Sequence, residues 1–264
     1  MRFFRQGMLL SLALAAPTIA AHAQAYPQYG NSTILQDADE QIVALANQAR
    51  AQTGAGPLQW DPALAAAALY HCRRMVTEGP ISHRYGGEPD LASRAGQAGA
   101  HFGLIEENVA IGPSAGGIHE EWMNSPGHRT NLLNPEVDRI GVAVISSRGV
   151  LYAVADYAHG VESLSAFQVE SRVAAFIRVS GISILGDPSL ARTACASDEG
   201  MPRSSSGQRA LFIMRWQDSE LARLPQALAD RLASGQYRLA SVGSCPPQGV
   251  EGSFTVYRVA VLLY

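Results

Sequence analysis

The clearest absence in this chain is lysine, because all 20 residues counted as Lys+Arg are arginines. A P-loop, a pyridoxal Schiff base and a Ser–Lys dyad each need an amine, so none of these chemistries is available to it. The formal net charge is -3 and no basic block occurs, so the electrostatic footprint of a nucleic-acid or anionic-lipid binder is also missing. We therefore predict that nucleic acid is not a partner.

Long apolar runs are also scarce. One spans Met8–Ala16, follows Arg2 and Arg5, and precedes the small-residue stretches A-H-A and A-Q-A. This three-part pattern is typical of a cleaved secretory signal, and its apolar core is too short to span a bilayer. We predict a signal peptide over residues 1–25, with a retained anchor as the alternative. The mature chain is then secreted or periplasmic and has no transmembrane segment.

Cysteine is sparse as well, with three residues in the chain. In an oxidising compartment this number suggests one disulfide and one spare thiol. Cys195 and Cys245 share the C-terminal half, so we predict that they pair. Cys72 lies in an alanine-rich helical pattern, and its neighbour His71 points about 100° away around such a helix. A buried apolar thiol is therefore favoured over a nucleophile at Cys72.

The N-terminal half has legible helix and strand signals. A glycine-rich segment over residues 81–114 lacks periodicity and predicts a functional loop, with a short capped helix at Asp90–Gln97. Helices followed by strands indicate the α+β class. Helices are expected from Asp37 to Gly54, from the Asp61 cap to Gly79, and over Gly117–Asn124 and Ser125–Leu133, followed by a hairpin of Arg139–Ser146 and Gly149–Ala158.

The C-terminal part, residues 165–264, predicts a smaller α+β domain held by the Cys195–Cys245 disulfide. We recognise no family in it. Strands are expected over Phe176–Leu185, Ala210–Trp216, Tyr237–Val242 and Phe254–Leu263, and one amphipathic helix over Leu221–Ala233.

Five motifs of the first part, in their order and spacing, resemble the bacterial branch of the CAP superfamily. They read G-P-L-Q-W-D-P-A-L-A-A-A-A, S-H-R, E-N-V-A-I-G, W-M-N-S-P-G-H-R-T-N-L-L-N-P and I-G-V-A-V. The superfamily includes cysteine-rich secretory proteins, antigen 5 and plant pathogenesis-related proteins. The resemblance implies an α-β-α sandwich over residues 36–160. It also implies a cleft in which two histidines and two acidic residues converge and, in some members, hold a divalent metal.

Transferred residue by residue, the resemblance gives three site residues. His83 matches the first histidine of the family, Glu107 its first glutamate and His128 its second histidine. These three are the expected ligands if a divalent metal binds, and zinc suits imidazole and carboxylate donors best. Ser125 departs from the pattern, because animal members have their second glutamate there, three places after Trp122.

Neighbouring residues have more than one interpretation. H-E-E-W-M has a methionine where a zincin helix needs its second histidine, so it is no H-E-x-x-H motif, but Glu121 could replace the missing carboxylate. Ser125 is either the N-cap of the next helix or half of a Ser–His dyad with His128. Asn108, Trp122 and Ser125 are expected to line the ligand site, although Trp122 also suits core packing.

Two functions follow from these residues. The first is binding of an extended or apolar ligand, such as a lipid, a peptide or a cell-envelope component, with His83, Glu107 and His128 as a polar anchor. The alternative is a metal-assisted or acid–base hydrolase of peptide, ester or glycan bonds, with Glu107 as general base and His128 as acid or metal ligand. Binding is favoured, because a family fold alone does not establish chemistry.

Overall fold

The computed structural model describes residues 33–200, 209–249 and 253–264, so the predicted signal peptide lies outside the described residues. Helices and strands alternate along this part of the chain. Its helices are α1 (Gln36–Thr53), α2 (Pro62–Glu78), α3 (Leu91–Gln97), α4 (Ala115–Asn124), α5 (Pro126–Leu133), α6 (Ala166–Val179), α7 (Ser189–Ala196) and α8 (Gln226–Ala233). Its strands are β1 (Thr33–Ile34), β2 (Gln59–Trp60), β3 (Phe102–Gly112), β4 (Arg139–Ser147), β5 (Val150–Gly160), β6 (Ser183–Ile184), β7 (Phe212–Asp218), β8 (Leu239–Cys245) and β9 (Tyr257–Leu263).

The first sheet has the strand order β1-β4-β5-β3, and β2 also pairs with β4. Successive residues of β5 point to opposite faces, as the period of a strand requires. Tyr157 packs with Ile42 of α1 and Trp122 of α4 on one face, whereas Val154 packs with Cys72 of α2 on the other. Helices therefore cover both faces, and the predicted α-β-α sandwich of the α+β class is confirmed.

Local signals place the helices where the sequence predicts them. The Asp61 carboxylate accepts hydrogen bonds from the N–H groups of Ala63 and Leu64, which caps α2, and α1 ends at Gly54 in the left-handed conformation. Gly141 of β4 is needed for a different reason. A Cβ there would lie 2.0 Å from the backbone nitrogen of Ala65, so only glycine lets α2 pack this closely on the sheet.

One predicted segment of the first part differs from the structure. The segment 81–114 is not a loop throughout, because Phe102–Gly112 forms the 11-residue strand β3, which pairs with β5. Both faces of β3 are covered by helices, so its sequence lacks the apolar–polar alternation of a half-exposed strand. The predicted hairpin, by contrast, is confirmed as β4 and β5.

The C-terminal part forms a second sheet, in the order β6-β8-β9-β7. The strand predicted over Phe176–Leu185 is wrong, because α6 occupies Ala166–Val179 and only Ser183–Ile184 is extended. A capping box of Ser165 and Gln168 begins this helix, and helical rather than strand periodicity places its apolar residues on the core. The helix predicted over Leu221–Ala233 begins only after Pro225.

The predicted disulfide is confirmed, and it joins Cys195 of α7 to Cys245 of β8. Cys72 is buried, its Sγ–H points to the Tyr152 carbonyl at 3.2 Å, and burial raises the pKa of the thiol, so it is not an activated nucleophile. The two sheet units touch where the ring of Phe254 meets that of Phe102 at 5.2 Å. Within the described ranges, no helix has the length and apolar character to cross a membrane.

Candidate functional site

Glu107 lies at the centre of the candidate site, on the edge strand β3. Its side chain points to the sheet face covered by α2 and α3, and it is 6% exposed. One carboxylate oxygen, Oε1, lies 2.9 Å from Nδ1 of His83, and the other, Oε2, accepts a hydrogen bond from the Arg94 guanidinium of α3. Both oxygens of Glu107 are therefore engaged by cationic or donor groups.

The two predicted histidines face each other, with ring centroids 6.5 Å apart. The hydrogen bond to Glu107 raises the pKa of His83 and outweighs the opposing effect of burial. Burial, followed by the charge of His83, lowers the pKa of His128. As pH rises, His128 therefore loses its proton before His83 does. The site thus pairs a protonated imidazole with a neutral one over part of the neutral range.

Asp156 lies directly opposite Glu107 in the register of β3 and β5 and is completely buried. Burial, and then the negative charge of Glu107, raises the pKa of Asp156 well above its ordinary value. Both effects favour the neutral acid over a second negative charge beside Glu107.

A second buried pair shapes the loop that carries His83. Nδ1 of His71 lies 2.7 Å from Oε1 of Glu88, and its Nε2 lies 2.8 Å from the Ser82 carbonyl. These two hydrogen bonds tie the loop to α2, next to His83.

Three predicted or neighbouring residues fix α4 and α5 against β3. Asn108 is fully buried and donates a hydrogen bond to the His128 carbonyl at 2.9 Å. Asn131 donates to the Glu107 carbonyl and to the Asn108 side-chain oxygen, both at 3.1 Å. Trp122 is also fully buried and donates to the Val109 carbonyl at 3.2 Å. Asn108 and Trp122 thus support the site from the core.

Ser125 lies at the junction of α4 and α5. Its N–H bonds to the Glu121 carbonyl and its carbonyl accepts the Arg129 N–H, so its backbone ends one helix and begins the next. The hydroxyl makes no capping hydrogen bond, which corrects the expected side-chain cap. Glu121 is exposed, and its charge acts on His128 by raising that pKa.

The donor set does not fit the three-ligand metal site that the resemblance implies. Within the described residues, no group of three histidine, cysteine, aspartate or glutamate side chains is arranged to hold a metal ion. Glu107 directs one oxygen to His83 and the other to Arg94, so neither points with both imidazoles at a common position. The expected zinc ligation by His83, Glu107 and His128 therefore disagrees with this geometry.

The structure thus brings His83, Glu107 and His128 together, and it adds members that the sequence did not reveal. No sequence signal marks Arg94, which lies among the small residues of the short helix α3. Asp156 carried a signal, since it is a single acid in the otherwise apolar run V-A-D-Y-A of a predicted strand. A charge in such a strand is buried, and a buried carboxyl points to a specific environment.

Comparison with known proteins agrees with the resemblance that the motifs carry. Residues 43–157 match the model of the cysteine-rich secretory protein family, CAP, and this segment of the chain belongs to that family. The uncharacterized protein YkwD of Bacillus subtilis (strain 168) is 31% identical over 116 residues, which cover 42% of this chain and 44% of that protein. This chain thus spans less than half the length of that curated relative.

Two solved structures are also similar to this chain. An extracellular protein containing a SCP domain, from Bacillus anthracis, is 28% identical with a TM-score of 0.43, over 46% of this chain and 40% of that one. An outer surface protein from Borrelia burgdorferi is 19% identical with a TM-score of 0.46, over 49% of this chain and 98% of that one.

Proposed function

We propose that this is an exported binding protein that holds an extended or apolar ligand of the cell envelope or extracellular space. In this proposal, His83 and His128 bind an acidic or carbonyl group of the ligand at the mouth of the cleft. The role of Glu107 is to hold His83 protonated and oriented, rather than to react.

The observation that carries the proposal is the engagement of both Glu107 oxygens by Arg94 and His83. A carboxylate neutralised in this way leaves imidazole N–H donors, not a free anion, as the accessible groups. The side chain of His83 is 59% exposed, so it is open to a ligand. Burial raises the pKa of Asp156, which favours its neutral form beside the ligand site.

Binding is supported over hydrolysis by what a general base requires. A base must have a free lone pair within reach of the proton that it removes. Glu107 is 6% exposed and each of its oxygens already binds His83 or Arg94, so little of the carboxylate is open to a substrate proton. His128 is the other candidate base, but its Nδ1 is buried and, in the described part of the chain, has no partner that would orient the ring.

An extended ligand is supported by the surface on the other side of α5. A groove of about 600 Å³ runs along it, lined by Met123, Arg129, Leu133 and their neighbours. Of this lining, Pro126, Arg129, Thr130 and Leu133 share the i, i+3, i+4, i+7 face of α5, while His128 lies on its other side. A chain-like ligand that crosses the start of α5 can therefore contact both the groove and the histidines.

The test uses the mature protein, incubated with lipid, peptide and glycan fractions of a bacterial envelope. Retained ligand and turnover are both followed by mass spectrometry, with zinc and with a chelator. We expect retention without turnover, and a loss of at least about tenfold in His83→Gln/His128→Gln, the range for losing hydrogen bonds to charged groups. The matched control is His101→Gln, an exposed histidine outside the site. Turnover that disappears in Glu107→Gln would show a hydrolase instead.

A further inference from the structure

A second cavity lies at the opposite edge of the first sheet, away from the histidines. It lies between α1 and α2 over β4, and its volume is about 470 Å³. We call it the edge pocket. Its wall is mostly apolar and its single ionisable side chain is that of Asp39; it is lined by Ile34, Gln36, Asp39, Trp60, Pro62, Ala65, Ala66, Leu69, Val142 and Ala143.

The edge pocket exists because β4 is only partly covered along this edge. β1 pairs with residues 145–146 and β2 with residues 139–140, which leaves the stretch between them without a neighbouring strand. The carbonyls of Ile140 and Val144 point outward, since they accept the N–H groups of Asp61 and Leu35. Alternation along an antiparallel strand directs the polar backbone groups of Val142 to the same edge. The pocket floor therefore offers a backbone carbonyl as well as a carboxyl group.

Asp39 is the unusual member of the edge pocket. Its side chain belongs to a residue only 8% exposed, yet within the described residues its Oδ1 has no hydrogen-bond partner. Burial raises the pKa of Asp39 to about 7, partly offset by a hydrogen bond from Val144 and reinforced by the charge of Glu40. A buried polar atom without a partner is costly, so a donor supplied by a ligand would be favoured here.

We infer that the edge pocket binds a small organic cation, a primary amine that carries a short apolar chain. The ammonium group would bind the Asp39 carboxylate and the Val142 carbonyl, which are acceptors that its three N–H donors suit. The chain would lie against Trp60 and Leu69, and Trp60 is 48% exposed although its indole is large and apolar. This site is separate from the histidines and does not depend on the function proposed above.

The test compares n-hexylamine with n-hexanol, its neutral counterpart of equal length, at pH 8. Binding to the full mature chain is followed by nuclear magnetic resonance at the Trp60 indole signal, which Trp60→Phe identifies. We expect hexylamine to bind at least about tenfold more tightly than hexanol, because a charge-assisted hydrogen bond is roughly twice as strong as a neutral one. Asp39→Asn should abolish that preference while preserving the shape of the pocket.

Two further variants complete the test. Asp37→Asn removes an exposed carboxylate from the same helical turn and should leave the preference intact. Ala66→Leu fills the pocket from α2 and should weaken both compounds. Equal affinity for the two compounds in the unmodified protein, a preference that survives Asp39→Asn, or the absence of a saturable shift at Trp60 would each overturn the inference.

Discussion

The opposite edges of the first sheet each hold a buried carboxyl group, but the protein treats the two charges differently. At the β3 edge, Glu107 is met by the Arg94 guanidinium and the His83 imidazole. At the β4 edge, Asp39 accepts a hydrogen bond from the Val144 backbone, and no ion pair involving it is found within the described ranges. Burial is similar at the two positions, at 6% and 8% exposure, so the partners make the difference.

This difference decides what each carboxyl group can do. A neutralised carboxylate orients its partners, and at the β3 edge one of those partners, His83, is proposed to meet the ligand. An uncompensated carboxyl group is held partly protonated and destabilises the fold whenever it ionises. Removing a partner of Glu107 should therefore destabilise the protein, whereas removing the charge of Asp39 should stabilise it.

The largest effect is expected at the compensated edge. Arg94→Met leaves Glu107 and the nearby Glu88 buried without their guanidinium, and removal of one partner of a buried pair costs about 3–5 kcal/mol. The free energy of unfolding, measured in urea at pH 7, should fall by that amount. Arg129→Met is the matched control at an exposed arginine, and it should change stability by less than about 0.5 kcal/mol.

A double variant separates charge from packing at Arg94. Arg94→Met/Glu107→Gln removes the uncompensated charge together with its partner, so it should recover a large part of the lost stability. If the double variant is as unstable as Arg94→Met, the loss comes from packing around the guanidinium stem. In that case, the charge of Glu107 would not explain the stability of the β3 edge.

At the uncompensated edge, removing the carboxylate is expected to increase the free energy of unfolding. The pKa of Asp39 is about 7 in the folded protein and 3.8 for the free side chain, so the folded state retains the proton more strongly. Stability from this group is full at low pH and is lost as pH rises from about 4 to about 7, which corresponds to about 4 kcal/mol at most. Asp39→Asn should raise the free energy of unfolding at pH 8 by about 2 kcal/mol, within that limit.

The pH dependence provides the control for this prediction. At pH 3 both states of the protein hold Asp39 mostly protonated, so the stabilisation by Asp39→Asn should nearly disappear. Glu40 and the Cys72 thiol are the titratable neighbours, and burial raises the pKa of Cys72 out of this range. A stabilisation of equal size at both pH values would show that removing the charge of Asp39 is not the cause.

The sequence predicted the parts of this comparison that depend on local signals. Asp61 before Pro62 predicts the start of α2, and its cap is present. The two β-rich runs on either side of S-S-R-G predict the β4–β5 hairpin. The resemblance to the CAP superfamily brought His83, Glu107 and His128 together from three separate motifs, and the structure places them side by side.

Other features could not be predicted because they arise from tertiary contacts. β3 has helices on both faces, so its sequence lacks alternation. Arg94 acts through a pairing with β3 that spans 13 residues of sequence, and no local pattern specifies such a contact. The sequence places Asp39 in the first turn of the helix predicted from Asp37, where an acidic residue is ordinary. Its burial depends on β4, more than 100 residues later in the chain.

The smallest effect concerns the histidines themselves. Glu107→Gln removes the carboxylate that raises the pKa of His83, so this pKa should fall toward its ordinary value of 6.5. With less charge on His83, the repulsion that helps to lower the pKa of His128 should weaken. The two titrations, followed through the imidazole Cε1 protons by nuclear magnetic resonance, should therefore converge.

The raised pKa of His83 also determines the sign of the stability change in Glu107→Gln. Because the pKa of His83 is higher in the folded than in the unfolded protein, this group stabilises the fold at a pH below its ordinary pKa. That stability is lost as the pH rises through its pKa in the folded protein. Because this side chain is 59% exposed, solvent screening limits that contribution to less than about 1 kcal/mol. Glu121→Gln is the control, since it should lower the pKa of His128 and leave His83 unchanged. Titrations that stay apart in Glu107→Gln would mean that Glu107 does not hold the His83 proton, and the contrast with Asp39 would then rest on Arg94 alone.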